Sequence, residues 1–194
     1  MGKLFCLMGK SSSGKDSVYK RLLSEDLSLQ RVVPCTTRPI RQGETNGVEY
    51  FFYSEEALDA LRSEGKVIEL RSYSTVHGIW NYFTADDGQI DLGRHDYLMI
   101  GTLESYRRLQ DYFGADSLVP LYLAVEDGIR LRRALERESR EEAPRYAEMC
   151  RRFLADEADF SQEKLDEAGI GKVFVNNDLD STVREIAAYI RSQQ

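Results

Sequence analysis

Cysteine, histidine, proline and long apolar runs are all scarce in this chain, and each scarcity closes off a class of protein. The three cysteines, Cys6, Cys35 and Cys150, share no metal-ligand or framework spacing. That excludes a disulfide-stapled or zinc-ribbon scaffold and predicts a reducing, cytoplasmic setting. His77 and His95 are the only histidines, and with no partner pattern around them neither is assigned a catalytic role. No stretch approaches the roughly 18 consecutive apolar residues of a membrane-spanning helix. The opening MGKLFCLMGK is interrupted by Gly9 and Lys10, too early for a secretory signal, so the protein is expected to be soluble and unanchored. Repeats, low-complexity tracts and Pro/Gly-rich linkers are missing too, which favours one compact unit.

What remains is ample for a single core: 194 residues, 42% hydrophobic and 30% charged. Acidic residues outnumber basic ones 33 to 26, a formal net charge of -7. Such a surface is a poor partner for nucleic acid, and any polyanion must meet a local basic pocket. Nothing in the composition specifies an oligomeric state.

Short apolar runs at Leu4–Met8, 98–100, Leu118–Ala124 and Val173–Val175 read as buried strands. Between them the period is helical: Val18, Leu22 and Leu23 share one face, Leu103, Tyr106 and Leu109 a second, and Val183, Ile186, Ala187 and Ile190 a third. Strands alternating with helices predict a parallel sheet covered on both faces. Residues 48–84 differ, being rich in aromatic and β-branched residues, among them Val76 and Trp80, around one helical patch at 55–64. They predict a small α+β lobe inserted into the main sheet. Residues 130–152 carry dense charge of both signs and Pro144, as a helical flap would.

The strongest local signal is Gly9-Lys10-Ser11-Ser12-Ser13-Gly14-Lys15-Asp16, directly after a strand-like run and before an amphipathic stretch. Glycines at both ends let the backbone turn its N–H groups inward. The following helix presents its positive end, and Lys15 adds a point charge for the β and γ phosphates of a nucleotide. This phosphate-binding loop (P-loop) departs from its usual pattern after the lysine, where Asp16 replaces a magnesium-ligating hydroxyl. Asp16 as a direct or water-mediated Mg²⁺ ligand, Ser17 in that role, and Asp16 as a helix cap are the alternatives.

The run Pro34-Cys35-Thr36-Thr37-Arg38-Pro39-Ile40-Arg41-Gln42-Gly43-Glu44, followed by Gly47-Val48-Glu49-Tyr50, resembles the guanylate kinase family, whose segment reads Ser-x-Thr-Thr-Arg-x-x-Arg-x-Gly-Glu and then Gly-x-x-Tyr. The resemblance implies that Arg38, Arg41 and Tyr50 hold the phosphate of GMP. Guanidinium forks and a phenol are suited to that task on chemical grounds alone. Glu64-Gly65-Lys66-Val67-Ile68-Glu69 is similar to the family's guanine-reading segment, which implies base selection by Glu69: guanine offers adjacent N1–H and N2–H₂ donors, whereas adenine presents a lone pair at N1. In Gly78-Ile79-Trp80-Asn81-Tyr82-Phe83-Thr84, Tyr82 or Trp80 stands for a phosphate-binding tyrosine and Thr84 or Asn81 for a second base contact.

The family's lid resembles the flap here, with Arg133, Arg137 and Arg140 at helical spacing, and the resemblance implies Arg137 and Arg152 as the arginines that join Lys15 and Arg38 in catalysis. The alternative for that segment is a helix laced by i,i+4 ion pairs through Glu136, Glu138, Glu141 and Glu142. Val175-Asn176-Asn177-Asp178-Leu179-Asp180 is similar to a segment beside the donor adenine, implying a contact from Asn177, with Asp178 an adenine neighbour or a helix cap. Two departures stand out: Pro34 replaces a phosphate-contacting serine, and Thr102 replaces an aspartate at a strand end.

The resemblance thus implies an α/β, three-layer P-loop NTPase fold with a parallel core sheet, an inserted nucleoside-monophosphate lobe and a helical lid. The expected division is core 1–33, 85–129 and 153–194, acceptor lobe 34–84 and lid 130–152. The implied activity is transfer of a phosphoryl group from ATP to GMP with Mg²⁺. ATP would lie on residues 9–17 (Gly9, Lys10, Ser11, Ser12, Ser13, Gly14, Lys15, Asp16, Ser17) and Asn177; GMP would lie on Arg38, Arg41, Tyr50, Glu69, Tyr82 and Thr84. Another acceptor, or a non-catalytic binding module of the same fold, are the alternative readings.

Overall fold

The computed structural model describes residues 1–75 and 78–194, so Val76 and His77 lie outside the described residues. The chain runs through strands β1 (Leu4–Met8), β2 (Leu29–Arg31), β3 (Cys35–Thr36), β4 (Phe51–Phe52), β5 (Val67–Thr75), β6 (Gly78–Ala85), β7 (Asp96–Ile100), β8 (Leu118–Ala124) and β9 (Val173–Val175). The helices are α1 (Lys15–Ser24), α2 (Glu55–Ser63), α3 (Leu103–Phe113), α4 (Asp127–Glu138), α5 (Tyr146–Asp159), α6 (Gln162–Glu167) and α7 (Leu179–Gln193). Five strands form a parallel sheet in the order β2-β7-β1-β8-β9.

Strand β1 shows why three layers form. Its five residues are all buried, and because successive side chains point to opposite faces, Leu4, Cys6 and Met8 pack on one side while Phe5 and Leu7 pack on the other. The first face meets Leu103, Tyr106 and Leu109 of α3 with Phe160 and Leu165. The second meets Val18 and Leu22 of α1 and Val183, Ile186 and Ile190 of α7. Each such large side chain removed from water stabilises the fold by about 1.5–3 kcal/mol, so the central strand has no face left for solvent.

One strand expectation needs correcting. In β9 only Phe174 is buried, while Val173 and Val175 stay roughly half exposed at the edge of the sheet. A second sheet, β4-β3-β6-β5, is mixed: β3 runs parallel to β4, and β6 is antiparallel to both β3 and β5. One of its faces is closed by α2, where Leu58 packs on Cys35, Phe83 and Ala85. Ile68 joins the core cluster beneath α3, tying this sheet to the main body.

Candidate active site

The loop between β1 and α1 wraps the helix N-terminus in an arrangement that only its sequence permits. Gly9 has φ 154° and Gly14 φ 90°; a Cβ on the first would stand 2.4 Å from the Leu123 carbonyl oxygen, and on the second 2.5 Å from Nδ2 of Asn176. Ser12 is left-handed as well, at φ 61°, a conformation that disfavours L side chains and persists where surrounding structure enforces it. Asn176, buried at the end of β9, donates from Nδ2 to the Ser13 carbonyl at 2.8 Å and pins the loop from behind. The hydroxyls of Ser12 and Ser13 are buried without a hydrogen-bond partner among the described residues. Unsatisfied buried polar atoms clustered in one loop mark a place built for a polar ligand.

Lys15 curls back over this loop, donating to the carbonyls of Gly9 at 2.5 Å and Lys10 at 3.0 Å. Burial pushes its pKa down to about 8, against the opposing pull of Asp156 and Asp16. Asp16 is exposed in the first turn of α1 and does not cap it; the N-cap is Gly14. Ser17 is exposed beside it. No group of three or more potential ligand side chains gathers among the described residues. A single carboxylate next to nucleotide phosphates still fits Mg²⁺, which keeps several waters and commonly takes only one or two protein carboxylates.

Helices α4 and α5 close over the loop through Arg130. Its guanidinium, only 1% exposed, donates to the Ser11 carbonyl (3.1 Å), Asp127 (2.6 Å), Glu157 (2.9 Å) and Asp156 (3.3 Å), and lies 4.6 Å from the ring centre of Phe153. Asp156 also accepts from the Ser11 amide at 2.7 Å, and Glu157 from the Lys10 ammonium at 2.5 Å. The Lys10 ammonium and the Ser11 amide are thus engaged by carboxylates of α5. Arg137 and Arg152 line the same cleft with Ser11, Ser12 and Phe153, and Arg133 approaches Gly14. Within α5, Arg151 pairs with Glu148 at 2.7 Å.

The second constellation lies on the face of the small sheet opposite α2. The β5–β6 register pairs Glu69 with Thr84, Arg71 with Tyr82 and Tyr73 with Trp80, placing all six side chains on one face. Glu69, its side chain 1% exposed, accepts from Thr84 Oγ1 at 2.9 Å and from Arg71 at 2.9 and 3.1 Å. Burial works against the Arg71 charge, but the adjacent Glu69 carboxylate outweighs it and holds the guanidinium above its ordinary pKa.

Arg38 is buried and forked onto Glu44 at 2.7 and 2.6 Å, 5.0 Å from the ring centre of Tyr50 and 5.3 Å from that of Phe52. That pair pulls Glu44 down to about 2. Glu44 also accepts from the Arg41 amide at 2.8 Å, while the Arg41 guanidinium lies 6.0 Å from the Trp80 ring centre. Edge-on contacts at 5.7 Å run from Tyr50 to Tyr82 and from Tyr82 to Tyr73. Asn81, in contrast, faces the other way, donating to Glu55 and accepting from Ser72. Of the two alternatives for a second base contact, only Thr84 shares the Glu69 face.

At the remaining positions, Asn177 is exposed in the loop before α7, and Asp178 caps that helix by accepting from the Ser181 amide at 2.8 Å. Thr102 caps α3 in a reciprocal capping box with Ser105. Pro34 accepts from the Phe51 amide. His95 is exposed, stacked edge-on against Tyr97. Reading the sequence alone passed over Arg130, Asp156, Asn176, Glu44 and Arg71 as site residues. For Arg71 a signal existed, since i and i+2 on a strand share a face; Arg130 and Asp156 meet only through the packing of two helices.

A parallel sheet whose central strand ends in a glycine-bounded loop, a lysine over that loop and an arginine-lined cleft beside it define a P-loop nucleotide-binding α/β protein. The sequence model of the family described as "Guanylate kinase" matches residues 1–83. The "Guanylate kinase" of Salinibacter ruber is 32% identical over 194 residues, spanning 95% of this chain and 93% of that protein. That of Symbiobacterium thermophilum is 28% identical over 197 residues, spanning 100% and 86%. The crystal structure of guanylate kinase from Anaplasma phagocytophilum shares the fold, with a TM-score of 0.67 at 19% identity over 100% of this chain and 86% of that one. The chain belongs to the guanylate kinase family. No helix among the described residues is long and apolar enough to cross a membrane.

Proposed function

We propose that this protein transfers the γ-phosphoryl group of ATP to GMP, giving ADP and GDP, as one guanylate kinase-like unit with core 1–33, 85–129 and 153–194, acceptor lobe 34–84 and lid 130–152. The observation that carries this reading is the occurrence together of a glycine-bounded phosphate loop at Gly9 to Lys15 and of a sheet face bearing Tyr82 and Glu69, against which Arg38 and Tyr50 pack from the preceding loop. The β and γ phosphates lie on the loop amides and Lys15, and Asn177 borders the adenine. The GMP phosphate sits among Arg38, Arg41, Tyr50 and Tyr82, with Glu69 and Thr84 at the base.

A phosphate oxygen of GMP attacks the γ-phosphorus as its bond to the ADP oxygen breaks, so the three transferred oxygens carry spread negative charge. Lys15, Arg137 and Arg152 meet that charge, and closure of α4 and α5 shuts out water that would hydrolyse ATP. Positioning and charge neutralisation carry this chemistry, and no covalent intermediate is needed. Mg²⁺, when bound, neutralises phosphate charge; Asp16 is the side chain that would hold it, with water and phosphate oxygens completing the shell. Retention of Lys15 and its glycines favours an enzyme over a binding module of this fold. The test is ADP release from Mg-ATP over GMP, dGMP, AMP, UMP and CMP. Turnover confined to the guanine nucleotides is expected; turnover with a non-guanine acceptor alone, or with none, contradicts the assignment.

A further inference from the structure

We infer that Arg71 determines base specificity, donating to O6 of the acceptor purine while Glu69 accepts from N1–H, so that the site selects 6-oxopurine monophosphates and reads the 2-amino group weakly. The inference rests on the acceptor-site reading above and deepens it. An ionised carboxylate offers about four lone-pair positions. On Glu69 three are taken: Oε1 accepts from Thr84 and from Nη2 of Arg71, and Oε2 accepts from Nε of Arg71. One position on Oε2 is left, too few for the two adjacent donors N1–H and N2–H₂ of guanine.

Arg71 supplies what the carboxylate lacks. Two of its five N–H groups are spent on Glu69, and the other three have no hydrogen-bond partner among the described residues. It stands on the same sheet face as Glu69 and Thr84, directly opposite Tyr82 and two residues before Tyr73 in the aromatic row that continues to Tyr50. A donor beside an acceptor matches the O6 and N1–H of a 6-oxopurine. Adenine inverts both, turning N6–H₂ toward a guanidinium and the N1 lone pair toward a carboxylate. Ile68, next to Glu69 in β5, packs against the core cluster that contains Cys6 of the central strand, where burial pushes the Cys6 thiol up to about 12. At that end of the sheet Thr102 contributes a capping hydroxyl and no carboxylate to receive N2–H₂.

The test measures affinity for GMP, IMP and AMP by calorimetry with the full-length protein, Arg71→Gln and Arg71→Lys, with thermal unfolding and ATP affinity as controls. The Gln variant leaves one amide donor for the buried Glu69, and the Lys variant keeps its counter-charge, so folding is retained by at least one. The unaltered protein is expected to bind GMP and IMP within about tenfold of each other and AMP at least about 100-fold more weakly. Both variants are expected to lose about tenfold of the preference over AMP, equally for GMP and IMP, with ATP affinity unchanged. GMP preferred to IMP by more than about 100-fold overturns the inference, as does full recovery of the preference over AMP in Arg71→Lys, which would assign Arg71 a purely structural pairing. Binding as stated without ADP release would remove the phosphoryl-transfer reading and leave this one standing. ADP release with a strong demand for the 2-amino group does the reverse, and no binding of any purine monophosphate removes both.

Discussion

The two candidate substrate sites are built by different means. At the phosphate loop the backbone makes the site: two glycines in conformations and clearances that exclude a Cβ, a left-handed Ser12, and Asn176 fastening the loop from behind. On the acceptor face Arg38 and Glu44 stand on the loop after β3, Arg71 and Glu69 on β5 where it pairs with β6, and ion pairs between these neighbouring side chains set the geometry. A backbone-built site tolerates little substitution but needs few partners. A pair-built site can change specificity by altering one member while its fold persists.

The sharpest way to break this contrast is Gly14→Ala. The added methyl would strain a residue at φ 90° and meet Asn176 Nδ2 at 2.5 Å, displacing the loop proposed to hold the phosphates. ATP affinity is expected to fall about 100-fold, with GMP affinity within about twofold of its starting value, both read by calorimetry. Equal losses for the two ligands would mean that the halves are not independently built.

A milder effect is expected from Glu44→Gln. Arg38 would keep its place between Tyr50 and Phe52 but lose a charge-assisted fork, so the KM for GMP should rise about tenfold while that for ATP stays put. Because Glu44 is held near 2, the stabilisation from its pair is fully present above the ordinary carboxylate value of 4.5 and is lost as pH falls from there through about 2. Glu44→Gln should therefore flatten the acid limb of the stability curve measured by denaturant titration.

How legible each half was in the sequence follows from the same difference. Gly9, Gly14 and Lys15 announce their role within seven consecutive positions, because a phosphate cage is a local backbone structure. The helix stripes through Leu103, Tyr106 and Leu109 and through Val183, Ile186 and Ile190 were equally plain, since one face of a 3.6-residue period must be buried. Val173 and Val175 misled because an apolar run does not say whether its strand is central or at an edge. Arg130 was hidden among the alternating charges of α4, and only the packing of α5 reveals it as the one that clamps Ser11, Asp156 and Glu157. Arg71 was visible as a strand neighbour of Glu69, but its meaning depends on how many lone pairs that carboxylate has left.

The smallest expected effect is a proton. With Lys15 lowered to about 8 by burial, the unfolded chain holds that proton more tightly, so the Lys15 contribution to stability rises with pH from about 8 to its ordinary value of 10.5. A bound phosphate draws the pKa back up. Calorimetry of ATP binding near pH 8.5 in buffers of different ionisation enthalpy should therefore show net proton uptake of a fraction of one, fading toward pH 6.5. Lys15→Met should abolish the uptake. The acceptor half, titrated with GMP under the same conditions, should show none of this Lys15 signal.

The central claim is that one cleft holds a donor triphosphate on the backbone cage and an acceptor monophosphate on the ion-pair face at the same time. The most direct measurement is the affinity of an adenosine and a guanosine joined 5′ to 5′ through five phosphates. It should bind at least about 100-fold more tightly than ATP or GMP alone, and either Lys15→Met or Arg38→Met should remove most of that gain. Binding no tighter than ATP, and unchanged by Arg38→Met, would contradict the account.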